Sequence, residues 1–248
     1  MSSLITFSVD EYKKLLYQTK TKVIIALAVL YAVAAGIVFF IAESNTGVEM
    51  IAPGRFPAFI LELITGFVLP VLTIFIGSEL FAAEFKDATI KNLFALPVTK
   101  SIIYLGKLIA GAAMAGTCLL TLGISGLIVN LVMNGVEAFA GIGGILVSYF
   151  GVFIFLSTIL VIVSFFTLIT GSPNMAIVIN LLIWFVTGVA GTFLLSIRQF
   201  LPTNFSGWYQ PLVNGTNIAM ALPTLLYMLS YCIIFGVTGL LIFEKKEV

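Results

Sequence analysis

The sequence contains no histidine, only two cysteines and very few charged residues. The missing histidine removes the commonest general base and the commonest metal ligand of proteins. Both cysteines, Cys118 and Cys232, lie inside apolar runs, so neither a structural disulfide nor redox chemistry is expected. Charged residues make up 9% of the chain, against about 25% in soluble domains. A soluble enzyme is therefore a poor interpretation.

A phosphate-binding loop is missing as well. The only Gly-Lys pair, Gly106-Lys107, is followed by Leu108 rather than Ser or Thr, and position 101 is Ser rather than Gly. No metal cluster and no Ser/His/Asp or Cys/His set can be assembled from the residues present. We expect the chain to be no enzyme and to hold no cofactor or metal. A net charge of +1 gives no sign of a nucleic-acid partner, and none is expected.

Hydrophobic residues dominate instead, at 60% of 248 residues, with a mean hydropathy of +1.18. This composition is typical of an integral membrane protein, and a helix of about 20 apolar residues crosses the bilayer core. The sequence predicts an all-α integral membrane fold in a single transmembrane domain, residues 1–248, with six transmembrane helices. Their predicted ranges are 23–42, 58–82, 101–133, 142–170, 175–197 and 218–243. The second should kink at Pro70, and the third is long enough to tilt or to project.

Residues 1–22 precede the first span. A helix there places Ile5, Val9, Tyr12 and Leu16 on one stripe, which predicts an amphipathic helix at the cytoplasmic membrane interface. A merely solvated leader is the alternative. The acidic residues of this leader and the length of the apolar run behind it indicate an uncleaved first helix rather than a signal peptide.

Basic residues give the orientation of the chain. Six spans place both termini on one side, and with the N-terminus inside, all lysines are cytoplasmic and only Arg55 and Arg198 are outside. The positive-inside rule favours this topology in the plasma membrane. The loop 198–217, with Trp208 and Tyr209, is expected at headgroup level, and part of it could re-enter the membrane.

The most charged stretch lies between the second and third spans. As a helix over 84–97, it places Phe85, Thr89 and Leu93 on one face and Glu84, Asp87 and Lys91 on the opposite face. Pro97 ends this helix. Such a helix can rest on the membrane domain and offer polar surface to a soluble partner, although an ordinary charged loop is the alternative.

The residues of this stretch resemble a family signature. Glu84-Phe85-Lys86-Asp87-Ala88-Thr89-Ile90-Lys91-Asn92-Leu93, followed by Pro97-Val98-Thr99-Lys100, is similar to the E-x-x-x-G-T-[IL]-x-x-L and P-[VI]-[ST]-[RK] motifs of the type-2 ABC exporter permeases. Ala88 stands where that family usually has glycine. The resemblance implies that 84–97 is a cytoplasmic coupling helix in contact with an ATPase subunit. The residues that it assigns to this contact are Glu84, Phe85, Asp87, Thr89, Ile90, Lys91, Leu93 and Pro97.

The same resemblance implies partners and a mechanism. The chain would pair with a second permease copy or a sister permease and with two ABC ATPase subunits, which would bind the ATP and Mg. Transport would proceed by alternating access. Its small loops resemble the compact exporters of amphipathic peptides such as bacteriocins, and drugs, lipids and sodium are alternative substrates.

Two carboxylates lie within the second span, Glu62 toward the outside and Glu79 toward the inside. An ionisable residue inside a membrane is a functional candidate, because burying it costs at least about 2.5 kcal/mol. Both are candidates for the substrate path. They also support a rival interpretation, a secondary transporter that is coupled to protons through Glu62 and Glu79. A third interpretation is a membrane anchor or sensor that transports nothing.

Overall fold

A computed structural model describes residues 2–86, 98–170, 172–215 and 218–245, and this part of the chain contains helices and no strand. The helices are α1 Ser2–Tyr17, α2 Thr19–Thr46, α3 Phe56–Thr65, α4 Val68–Lys86, α5 Lys100–Asn134, α6 Ile142–Thr170, α7 Pro173–Phe193, α8 Gln210–Val213 and α9 Leu222–Lys245. Short 3-10 helices occupy Gly135–Phe139, Arg198–Phe200, Pro202–Gly207 and Ile218–Met220.

Long apolar helices account for most of this architecture. Within the described ranges, α2, α5, α6, α7 and α9 are each long and apolar enough to cross a membrane. The pair α3 and α4 passes the same test when it is taken together, which gives up to six spans. The predicted all-α integral membrane fold is confirmed. At about 1.5 Å per residue, α5 alone is about 52 Å long and exceeds the bilayer core of about 30 Å.

The pair α3 and α4 is bent by 62°. The bend lies at Gly66-Phe67, so the prediction of a kink at Pro70 is wrong in position. Pro70 stands in the first turn of α4, where a helix needs no backbone N–H donor, and the proline is therefore tolerated. The ladder of α4 begins beside it, with Val71 N donating to Phe67 O at 3.1 Å.

The buried side chains form two clusters. The larger one joins α2, α3, α4, α5, α6, α7, α9 and the loop around α8, with Phe155, Ile60 and Trp184 among its residues. The smaller one joins α1, α4, α5, α6 and α9 around Phe81 and Tyr104. Because α4 ends and α5 begins in the smaller cluster, it lies at one end of the bundle, next to segment 87–97.

Helix α1 packs along the first turns of α5. Its packed face consists of Leu4, Phe7, Ser8, Glu11, Tyr12 and Leu15, at the spacing of one helical face. The Tyr12 hydroxyl lies 2.7 Å from the Thr117 hydroxyl, and the missing side chain of Gly106 makes room for the Phe7 ring. Ile5 and Val9, from the predicted stripe, stay exposed beside this face. The helix therefore has one face for α5 and a separate exposed apolar strip.

The loop around α8 packs against α6. Trp208 Nε1 donates to the Gly151 carbonyl at 2.9 Å, and Phe205 and Tyr209 are buried. These aromatic residues therefore contribute to the core of the bundle.

A buried polar contact connects α4, α6 and α7. The Asn180 amide lies 3.3 Å from both the Ser78 and the Thr167 hydroxyls, and all three residues are buried. Hydrogen bonds of this kind hold membrane helices together. Asn130, by contrast, closes a turn, because its amide donates to the Ala138 carbonyl at 3.3 Å.

Candidate functional site

Segment 84–97, the predicted coupling helix, is only partly within the described residues. Glu84 and Phe85 belong to the last turn of α4. The other residues assigned to the ATPase contact, Asp87, Thr89, Ile90, Lys91, Leu93 and Pro97, lie outside the described residues. What the structure shows is how the two ends of this segment are held. We call the residues around both ends the joint: Glu11, Leu80, Phe81, Lys100, Ser101, Tyr104, Lys107, Phe243 and Glu244.

Three aromatic rings form the apolar part of the joint. The Phe81 ring lies 5.5 Å from Tyr104 and 6.1 Å from Phe243, and the Tyr104 and Phe243 rings are 5.9 Å apart. All three side chains are buried. Such ring pairs contribute about 0.5–1.5 kcal/mol each beyond their buried area. The end of α4, the start of α5 and the end of α9 are therefore packed together as one unit.

A buried lysine forms the polar part. Lys107 is 1% exposed, and its ammonium lies 2.9 Å from Glu11 Oε2 and 3.1 Å from the Leu80 carbonyl. The same nitrogen lies 6.0 Å from the centroid of the Phe81 ring. Glu11 is 14% exposed. Loss of one partner of a buried ion pair typically destabilises a protein by about 3–5 kcal/mol, because the other charge remains without compensation.

The start of α5 is also fixed to the end of α9. The Ser101 hydroxyl donates to a Glu244 carboxylate oxygen at 2.7 Å, and Lys100 Nζ donates to the Glu244 carbonyl at 2.9 Å. The Thr99 side chain caps α5 by accepting from the Ile102 N–H at 3.4 Å. Thr99 and Lys100 belong to the sequence motif, and here they start a helix and bind the neighbouring helix.

Glu79 lies near the joint, on α4. Its carboxylate forms an ion pair with Lys20 at the start of α2, and the two side chains are 25% and 73% exposed. An ion pair this open to solvent contributes only about 0–1 kcal/mol. Glu79 therefore has a local charge partner at this end of the bundle.

Glu62 lies at the opposite end, in the wall of an open cavity of about 590 Å³. The cavity is bounded by the loop between α2 and α3, the start of α6 and the segment after α8. Its wall includes Met50, Gly54, Arg55, Phe59, Glu62, Val213 and Asn214. Glu62 is exposed and is in no salt bridge with any described residue.

The electrostatics of this cavity come from two separated charges. Arg55 immediately precedes α3 and Glu62 lies on α3, seven residues further on, which corresponds to about 10 Å along the helix axis. The charge of Glu62 also reaches the phenol of Tyr209: burial raises the pKa of Tyr209 above its usual range, and the negative charge of Glu62 raises it further. The cavity can therefore offer a ligand one cation, one anion and an apolar wall.

The structure does not bring Glu62 and Glu79 together. Glu62 lies on α3, in the wall of the cavity, whereas Glu79 lies on α4 and forms an ion pair with Lys20 at the opposite end of the bundle. Among the described residues, no group of His, Cys, Asp and Glu side chains is arranged to hold a metal ion.

The pair Glu11 and Lys107 is the main feature that sequence reasoning missed. The count of basic residues groups Lys107 with the cytoplasmic lysines, although it stands inside the third apolar run, 101–133. The rule that was applied to Glu62 and Glu79, that an ionisable residue in an apolar run needs a partner, applies to Lys107 as well. Glu11 could not be chosen as that partner, since 96 residues separate the two.

One comparison with known proteins bears on this site. Residues 11–188, more than half of the chain, match the family model described as ABC-2 family transporter protein. The match includes α1 from Glu11 onward, both ends of segment 87–97 and the cavity residue Glu62. A search among curated proteins finds no match.

Proposed function

Because the chain belongs to the ABC-2 family of transporter proteins and is thus a multi-pass membrane permease of an ABC transporter, we propose that it works in an ATP-driven exporter. The proposed substrates are amphipathic peptides or similar hydrophobic molecules. Members of this family are membrane components and are not themselves catalytic. ATP and Mg would bind to the partner.

The joint is the observation that carries this proposal. The end of α4 and the start of α5 are held in one buried cluster, with segment 87–97 between them. A force that an ATPase exerts on this segment would reach both helices at once. The family implies association with an ABC ATPase. Two ATPase subunits and a second permease, either a copy or a sister chain, would complete the transporter.

We place the joint on the cytoplasmic side of the plasma membrane, with both termini on that side. Support comes from the lysines: Lys20, Lys100 and Lys107 all lie at the joint end, whereas Arg55 lies at the cavity. In a background without Cys118 and Cys232, the variants Thr46→Cys and Thr203→Cys should react with an impermeant thiol reagent on intact cells. Asp87→Cys and Ser172→Cys should not react. Labelling of Asp87→Cys from outside would refute this orientation.

In this proposal the Glu62 cavity is the outer part of the substrate path. Its apolar wall suits the hydrophobic face of an amphipathic molecule, and the charges of Arg55 and Glu62 suit polar groups on the same molecule. Glu79, which is paired with Lys20 at the joint end, would support the joint and would not touch the substrate.

The main experiment measures uptake of fluorescent amphipathic peptides into inside-out vesicles from cells that produce the chain with its ATPase. Uptake should require ATP and should persist when an uncoupler collapses the proton gradient. Glu62→Gln should keep ATP-dependent uptake and change the preference among peptides. Uptake that stops with the uncoupler and is lost in Glu62→Gln would refute the exporter and support the proton-coupled transporter.

A second experiment addresses the ATPase contact. Glu84→Ala and Glu84→Lys should weaken binding of the ATPase or its coupled ATP hydrolysis, while insertion into the membrane is unchanged. Glu49→Lys, an exposed glutamate in the loop between α2 and α3, is the matched control. Coupling at the level of the unchanged protein in both Glu84 variants would contradict the assignment of 84–97.

A further inference from the structure

Lys107 connects its own helix, α5, to two others through a single charged group. Its ammonium binds the Glu11 carboxylate of α1 and the Leu80 carbonyl of α4, while its own backbone belongs to α5. We propose that Lys107 is a positioning residue for energy coupling. It connects α1 to the two helices that flank segment 87–97, so that α1, α4 and α5 move as one body during the transport cycle. This inference rests on the proposed function.

The positions of Lys107 and its two partners support this role. Leu80 stands in the last two turns of α4, before segment 87–97, and Lys107 stands two turns into α5, after it. The cation therefore bridges the two helices on either side of the segment on which an ATPase would act. Helix α1 lies outside the segment, and it joins the unit through Glu11 and through the contact of Tyr12 with Thr117.

The chemistry of lysine suits this task. An ammonium group has three N–H donors and no acceptor, so one side chain can bind a carboxylate and a carbonyl at the same time. An ionised glutamate at position 107 could donate to neither partner, and a glutamine would carry no charge to balance Glu11. The neighbouring pair of Lys20 and Glu79 connects only two helices, and Lys20 is largely exposed.

The first test uses the purified permease without any ATPase, in lipid nanodiscs. Amide hydrogen exchange is measured for Lys107→Met and for Lys13→Met, a control with the same substitution at an exposed position of α1. Lys107→Met should speed exchange in α1 by at least about tenfold, because the loss of a buried ion-pair partner favours local opening. Lys13→Met should leave it unchanged. Equal exchange in both variants would overturn the connection.

The second test separates positioning from stability by measuring substrate transported per ATP hydrolysed, at equal amounts of assembled transporter. Lys107→Met should lower this ratio by about tenfold or more, and Lys107→Arg should keep most of it, because it retains the charge and the donors. A Lys107→Met transporter with a normal ratio but a lower yield would show a merely structural role and would overturn the proposal.

A charge exchange makes the test sharper. The double variant Glu11→Lys with Lys107→Glu restores an ion pair between α1 and α5 but removes the donor to the Leu80 carbonyl. It should recover assembly and still transport poorly per ATP, and full recovery would refute the role of α4. If the unchanged transporter shows no ATP-dependent transport, the proposed function fails. The amide hydrogen exchange of the purified permease does not depend on transport, and it still decides whether Lys107 holds α1.

Discussion

Replacing Gly54 by alanine should destabilise the protein through two separate effects in the loop between α2 and α3. Gly54 has a φ of +82°, in the region that favours glycine. A β-carbon at this position would also overlap the Ala140 carbonyl oxygen and lie 2.7 Å from the carbonyl carbon. Because the obstacle is backbone, no side-chain rotation can relieve the overlap. Gly47 is a natural control, since it has a φ of +65° and its β-carbon would meet nothing within 4 Å.

The two glycines separate the two costs. A left-handed conformation costs a residue with a side chain about 1–2 kcal/mol, and this is the whole cost expected for Gly47→Ala. Overpacking against fixed neighbours adds about 1–3 kcal/mol for Gly54→Ala. The expected losses in unfolding free energy are therefore about 1–2 kcal/mol for Gly47→Ala and about 2–5 kcal/mol for Gly54→Ala.

The assay is unfolding in mixed micelles with increasing SDS, followed by the fluorescence of Trp184 and Trp208, the two tryptophans of the chain. Gly54→Ala should unfold at clearly lower SDS than Gly47→Ala. Its effect should reach the cavity, because Gly54 belongs to the cavity wall, and peptide preference should change as in Glu62→Gln. Equal midpoints for the two variants would refute the close approach of the loop to Ala140.

Three further predictions use the same unfolding assay. Asn180→Leu should lower the unfolding free energy by about 0.6–2 kcal/mol, because it removes the contacts with Ser78 and Thr167. The exposed control Asn174→Leu should lower it less, and equal losses would contradict the buried contact. Lys20→Ala should lower the unfolding free energy by at most about 1 kcal/mol, whereas Lys107→Met should lower it by about 3–5 kcal/mol, because only the second ion pair is buried. A larger loss in Lys20→Ala than in Lys107→Met would show that burial does not determine the strength of the two ion pairs. The pKa of Tyr209 is raised above its usual 10.0, so above about pH 10 the unfolded chain loses this proton while the folded protein keeps it. The stabilising contribution of Tyr209 is therefore fully present below about pH 10, and the unfolding free energy falls above it by at most about 1.4 kcal/mol per pH unit. Tyr209→Phe should reduce that fall, and an unchanged pH dependence in this variant would contradict the raised pKa.

The sequence predicts the class of this fold because length and apolar composition are local properties. The 62° bend shows where local rules stop. Pro70 is the obvious helix breaker, yet it stands where α4 begins and needs no N–H donor, and the chain bends at Gly66-Phe67 instead. Which of two neighbouring breakers a helix uses depends on the packing around it, and the pattern of one chain does not contain that information.

The candidate site likewise has one part that the sequence predicts and one part that depends on contacts between distant residues. The charged stretch 84–97 is visible in the sequence because its residues are contiguous. The joint is not visible, because its contacts join distant positions, such as Ser101 with Glu244 and Glu11 with Lys107. On α1, periodicity predicts one apolar stripe of Ile5, Val9, Tyr12 and Leu16. Tyr12 and Leu16 pack against the smaller cluster, whereas Ile5 and Val9 stay exposed. The surface of α5, which the periodicity of α1 does not contain, decides which residues of the stripe are covered.

The separation of 96 residues between Glu11 and Lys107 has a consequence for biosynthesis. A ribosome that adds about 5–20 residues per second needs about 5–20 seconds to proceed from one partner to the other. During that interval α2, α3 and α4 are synthesised, but the surface of α5 that binds α1 does not yet exist. Glu11 must stay hydrated, and the exposed Ile5 and Val9 give α1 an apolar strip with which to remain on the lipid surface. Docking of α1 onto α5 would then be a late assembly step, and a nascent chain released before Lys107 would leave α1 undocked.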